Sequence, residues 1–73
     1  LLAKFNMRAH TDEEIIRRTS AVEKKPEEIK DNRIDIAVDM EDEHGTVHTY
    51  VVNFCRDTQG SWEATEVSEL SSL

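Results

Sequence analysis

Apolar side chains recur at every second position through Ile34, Ile36, Val38 and Met40, set against Asp35, Ala37, Asp39 and Glu41. A period of two is the signature of a strand with one face on a core, and it predicts a strand over 33–42. Tyr50, Val52 and Phe54 repeat the pattern and predict a strand over 46–56. Trp62 and Ala64 predict a third over 61–69. The two glycines, Gly45 and Gly60, fall between these runs. Three-residue loops, Glu43-His44-Gly45 and Thr58-Gln59-Gly60, would place each glycine in the left-handed position of a type I turn plus bulge. Loop length also sets register. With three residues, Ile34, Ile36, Val38 and Met40 stand opposite Phe54, Val52, Tyr50 and His48. With two, they would face Cys55, Asn53, Val51 and Thr49, which exchanges the buried and exposed sets.

Upstream, Ala3, Phe5, Met7 and Ala9 alternate with Lys4, Asn6, Arg8 and His10, which predicts a strand over 3–10. Thr11-Asp12-Glu13-Glu14 is a capping box, in which hydroxyl and carboxylate each satisfy a backbone N–H of the other residue. Ile15, Ile16, Thr19 and Val22 follow at helical spacing, so a helix is predicted over 11–25. Pro26 disfavours helical backbone at Lys25 and should stop it, and can itself open one further short turn. The expected architecture is α+β in the order β-α-β-β-β. One helix packs on a small antiparallel sheet with a C-terminal three-stranded meander, in a single domain over 1–73.

Composition narrows the function classes. The 73 residues carry 16 acidic and 9 basic side chains, a net charge of −7. That sign argues against direct nucleic-acid binding. The charge is unevenly spread: residues 1–33 are net +1, whereas residues 34–73 hold only Arg56 against nine acids and are net −8. Cys55 is the single cysteine, so no disulfide framework exists, and a cytoplasmic location is expected. No apolar run is long enough to span a membrane. The chain begins at Leu1 rather than Met, which leaves room for a removed leader or anchor.

Candidate chemistry is sparse. His44 and His48 lie near Glu41, Asp42 and Glu43, but the register points His48 inward and Glu41 outward, so no metal site is expected. Cys55 faces outward beside Glu63, a neighbour that disfavours the thiolate. Nothing in the spacing gathers the histidines and carboxylates into one place, and no phosphate loop or nucleophile elbow is present. The expectation is a non-enzyme without cofactors. Arg17-Arg18-Thr19-Ser20 has the form of a basophilic kinase site, but on the predicted helix Thr19 points inward.

The outer sheet face is the informative surface. The register aligns Ala37, Val51 and Val67 in one apolar row, with Val47 nearer the first hairpin and Asp35, Asp39, Glu41, Glu63 and Glu69 around it. A small acidic protein-binding or regulatory module, self-associating as a homodimer through this face, is the first expectation. The second is a phosphate mimic that inhibits a nucleic-acid-binding protein, because strand residues two apart space their side chains about as phosphates are spaced, at roughly 7 Å. The third is an extracytoplasmic fragment of a larger protein.

A helix cradled by an antiparallel meander resembles the cystatin-like architecture. The stretch Gln59-Gly60-Ser61-Trp62-Glu63-Ala64-Thr65-Glu66-Val67 is similar to the last hairpin of nuclear-transport-factor-like domains. The cystatin protease-binding loop is absent, as are the extra N-terminal helices of the transport-factor-like pocket. The resemblance therefore implies architecture and no activity.

Overall fold

A computed structural model describes residues 8–70. It contains one α-helix, α1 (Asp12–Ser20), a 3-10 turn at Pro26–Glu28, and three strands, β1 (Arg33–Glu41), β2 (Val47–Arg56) and β3 (Trp62–Leu70). The strands form one antiparallel sheet in the order β1-β2-β3, so the fold is α+β. The strand expected over 3–10 lies outside the described residues as far as Met7, and residues 8–10 run as irregular chain into the helix.

The capping box starts α1 as its residues dictate. The Glu14 N–H donates to the Thr11 hydroxyl at 3.1 Å, and the Thr11 N–H donates to the Glu14 carboxylate at 3.0 Å. The helix then stops at Ser20, short of the predicted residue 25, and Val22 is left exposed. Its buried side consists of Ile15 and Thr19. Val22, the next apolar position at helical spacing, is not buried, so further turns would cost chain entropy with no burial to offset it. The Thr19 hydroxyl, fully buried, donates back to the carbonyls of Ile15 and Ile16 at 2.9 and 3.1 Å. Pro26 opens the 3-10 turn at its first position.

The first hairpin has the predicted register, with Ile34, Ile36, Val38 and Met40 opposite Phe54, Val52, Tyr50 and His48. Both loops are closed alike. Asp42 accepts from the N–H groups of His44 and Thr46, and Asp57 from those of Gln59 and Ser61. Gly45 and Gly60 take φ of 85° and 87°, the left-handed conformation this loop needs. A tight turn at Asp31-Asn32, both at positive φ, leads into β1 and brings Lys30 back beside Arg33. The Asn32 side chain then accepts from the Arg56 guanidinium, tying this turn to the end of β2.

The second hairpin departs from the expected pairing. Phe54 pairs with Ala64, but Asn53 pairs with Glu66, leaving Thr65 without a partner as a β-bulge. The cause is visible in the residues. Ala64 and Val67 both pack on the core, yet two polar residues separate them. Regular alternation would set Glu66 against Val52, burying a carboxylate among apolar side chains. The bulge absorbs one residue and keeps Glu66 outside. It also overturns two expectations. Val67 pairs with Val52 and packs against the core rather than joining Ala37 and Val51, and Glu69 pairs with Tyr50 on the inner face.

The core lies between this inner face and α1. Ile15, Ile34, Ile36, Met40, Tyr50, Val52 and Phe54 are buried, with Ile16, Ile29, Val38, Trp62, Ala64 and Val67 packed against them. Lys24, on the extended link after α1, covers one end by setting its ammonium 4.6 Å above the Phe54 ring.

Candidate functional site

Two surfaces stand out, one on each face of the sheet. On the outer face the register makes cross-strand rows. Asp35, Asn53 and Glu66 form one, Ala37, Val51 and Ser68 the next, and Asp39, Thr49 and Leu70 a third, with Glu41 and Val47 beyond. Asp35, Ala37, Asp39 and Glu41 are exposed, and Val47 and Leu70 are each 52% exposed. No described helix or strand packs over this face. The Thr49 hydroxyl donates to Asp39 at 2.7 Å and the Asn53 amide donates to Asp35, so both carboxylates are held in place.

Of the residues expected to form a binding surface, the structure thus brings Ala37, Val47, Val51, Asp35, Asp39 and Glu41 onto one face. Val67 is removed from it, and Leu70 takes up an apolar position there instead. Glu66 replaces Glu69 among the surrounding acids. Cys55 lies opposite Glu63, as the register implies. A shallow groove of about 640 Å³ borders this end, between Lys30, Arg33, Asp35, Cys55 and Glu66. Its charges are of both signs and converge on no single point.

The inner face carries the second feature, a polar cluster at the first-hairpin end of the core. His48 Nε2 lies 2.9 Å from the Asp42 carboxylate and Nδ1 lies 2.8 Å from the Glu69 carboxylate. Both carboxylates accept only, so the two contacts are satisfied together by an imidazolium, in which both ring nitrogens donate. Hydrogen bonds to Asp42 and then Glu69 hold the His48 pKa above its ordinary 6.5. The Asp42 carboxyl is pulled down to about 2, first by His48 and then by the Thr46 N–H. His10 completes the group. Its Nε2 donates to the Glu41 carbonyl at 2.9 Å, and in the neutral ring Nδ1 accepts from the Tyr50 hydroxyl, also at 2.9 Å. Tyr50 is fully buried, and burial followed by the Glu69 charge raises its pKa. The His10 and His48 rings meet edge to face at 5.9 Å.

Sequence reasoning missed this cluster. His48 was correctly set inward, but regular pairing put Glu69 on the opposite face. His10 reaches the group through tertiary packing across 40 residues of chain. The missed signal is the Thr65-Glu66 polar pair between Ala64 and Val67. Among the described residues no group of three or more His, Cys, Asp or Glu side chains is placed to hold a metal ion, and no helix is long and apolar enough to cross a membrane.

Comparison with protein-family models, with curated proteins and with solved structures finds no match for this chain.

Proposed function

We propose that the protein is a small binding module whose outer sheet face docks a basic surface of another protein, on a cystatin-like arrangement of helix and sheet. One observation carries this reading: Ala37, Val51 and Leu70 lie together on a face that no described helix or strand covers, between Asp35 and Glu66 on one side and Asp39 and Glu41 on the other. An apolar centre supplies burial, and a rim of one charge selects a partner of the other. The charge also favours a different molecule over a second copy. An isologous homodimer would press the acids of one face against the same acids of its mate, with Arg33 on that face and Lys30 at its edge as the cations among the described residues to relieve them. The phosphate-mimic reading is a narrower form of the same proposal, in which the basic surface is one that normally holds nucleic acid. It draws support from Asp35, Asp39 and Glu41 lying exposed on one strand.

The test is a titration of the ¹⁵N-labelled protein with a lysine-rich amphipathic peptide, followed by amide shifts. The expected result is a contiguous set of shifts at Ala37, Val51, Ser68 and Leu70, lost in Val51→Asp and weakened in the Asp35→Asn, Asp39→Asn double variant. Shifts confined to the acidic first turn of α1 would overturn the reading. Sedimentation showing a stable dimer that Val51→Asp dissociates would replace the basic partner with a second copy.

A further inference from the structure

We propose that His48 is a proton-operated latch, joining the first hairpin to the far end of β3 while it is an imidazolium and releasing Glu69 and Leu70 when it loses its proton. The argument is geometric. An imidazolium has two N–H groups, and here each meets a carboxylate, one from the hairpin loop and one from β3. A neutral ring has a single N–H, so one carboxylate must then face a nitrogen lone pair.

The two carboxylates are unequally held. Asp42 also accepts from the backbone N–H groups of His44 and Thr46 through its other oxygen, so the loop keeps it in place. The Glu69 carboxylate accepts no further hydrogen bond among the described residues. It stands next to the last residue of β3, so Glu69 is the group that leaves. The surroundings do not supply a substitute cation. Tyr50 faces the ring from β2, stacked at 6.2 Å, and His10 meets it from the segment before α1. Met40 lies opposite on β1. Arg8 is paired with Asp12 at 2.8 Å, and His44 is drawn to Glu43 out in solvent.

The latch has a consequence for the other face. Leu70 sits in the row with Asp39 and Thr49, so releasing this end removes an apolar contributor to the docking surface. That consequence rests on the docking proposal, whereas the latch does not.

The test follows the His48 Cε1 proton and the amide protection of Ser68 and Leu70 by NMR from pH 5 to 9, with Ile36 as the internal reference. The expected result is a His48 midpoint above 6.5, with protection at the end of β3 falling over the same interval while Ile36 stays protected. The fall should be about tenfold for each pH unit by which that midpoint exceeds the free value. In Glu69→Gln the midpoint should move down and the pH dependence of Ser68 and Leu70 should vanish. A midpoint at the ordinary value with flat protection would overturn the latch, as would an unchanged pH response in Glu69→Gln. The unmodified protein decides the matter even if the variant folds poorly. Peptide binding measured at pH 5.5 and 8.5 then tests the docking consequence separately.

Discussion

At the scale of single residues, the clearest dependence on environment belongs to the His48 group. Its folded pKa is raised, so its contribution to stability is complete below about 6.5 and is lost as pH rises through the folded value. Asp42 behaves in the opposite sense. Its contribution is complete above its ordinary 3.8 and is lost as pH falls through about 2. Stability set by this cluster should therefore be greatest between roughly pH 4 and 6.5 and decline on both sides. Urea unfolding across that range checks it, and Asp42→Asn should flatten the acid limb. Thr19 shows the contrasting case. Its buried hydroxyl bonds to carbonyls of its own helix, and Ile15 and Ile16 keep backbone partners without it. Thr19→Val should change stability by less than about 1 kcal/mol, measured by thermal unfolding, because nothing polar is left stranded. Both residues lay open to different degrees in the sequence. Thr19 was placed inward by helical spacing alone. The two-carboxylate setting of His48 depended on which way Glu69 points, and that is not a local property.

At the scale of elements, the start of α1 and the register of the first hairpin were legible because each rests on neighbours in sequence. The capping box is one such device, and Thr11→Ala should cost about 1 kcal/mol in unfolding free energy. The end of α1 was not legible from Pro26, since helices stop where burial stops, and burial is set by the sheet beneath. The bulge in β3 is the instructive failure. Alternation was assumed to run unbroken from Trp62, but Thr65-Glu66 already breaks it, and a buried carboxylate costs more than one irregular pair. Every residue after the bulge consequently faces the other way, Val67 and Glu69 included. A counterintuitive expectation follows for deletions. Removing Thr65 restores regular pairing while leaving Val67 on Val52 and Glu69 on Tyr50, so it should be tolerated, with Tm little changed. Removing Ser68 moves Glu69 to the outer face, so the His48 midpoint should move down, Asp42 alone still raising it, and the end of β3 should lose its pH response. Thermal unfolding of the two deletions, with a histidine titration of each, distinguishes them.

At the scale of the whole molecule, the charge division between the two halves becomes a division between surfaces. The acids of residues 34–73 are concentrated on the outer sheet face and on the hairpin loops, and only Asp42 and Glu69 are engaged by His48. The remaining carboxylates on the outer face, Asp35, Asp39, Glu41, Glu63 and Glu66, share it with Arg33, and Lys30 borders it beside Asp35 and Glu66. Such an arrangement is retained against its own repulsion, which costs stability in proportion to how poorly the solvent screens it. Salt should therefore stabilise this protein. The Debye length falls from about 30 Å at 0.01 M salt to about 10 Å at 0.1 M and about 3 Å at 1 M, so most of the gain should come in the lower part of that range. The half-buried pairs at His48 are screened less than the exposed acids, and their weakening should not cancel the gain. Asp39→Asn keeps an acceptor for the Thr49 hydroxyl while removing one of these charges, so it should raise Tm at low salt and leave it nearly unchanged at high salt. If Tm instead falls as salt is added, the outer face is not under electrostatic strain. The acids would then carry no stored repulsion for a basic partner to relieve, and its affinity would have to come from the apolar row alone.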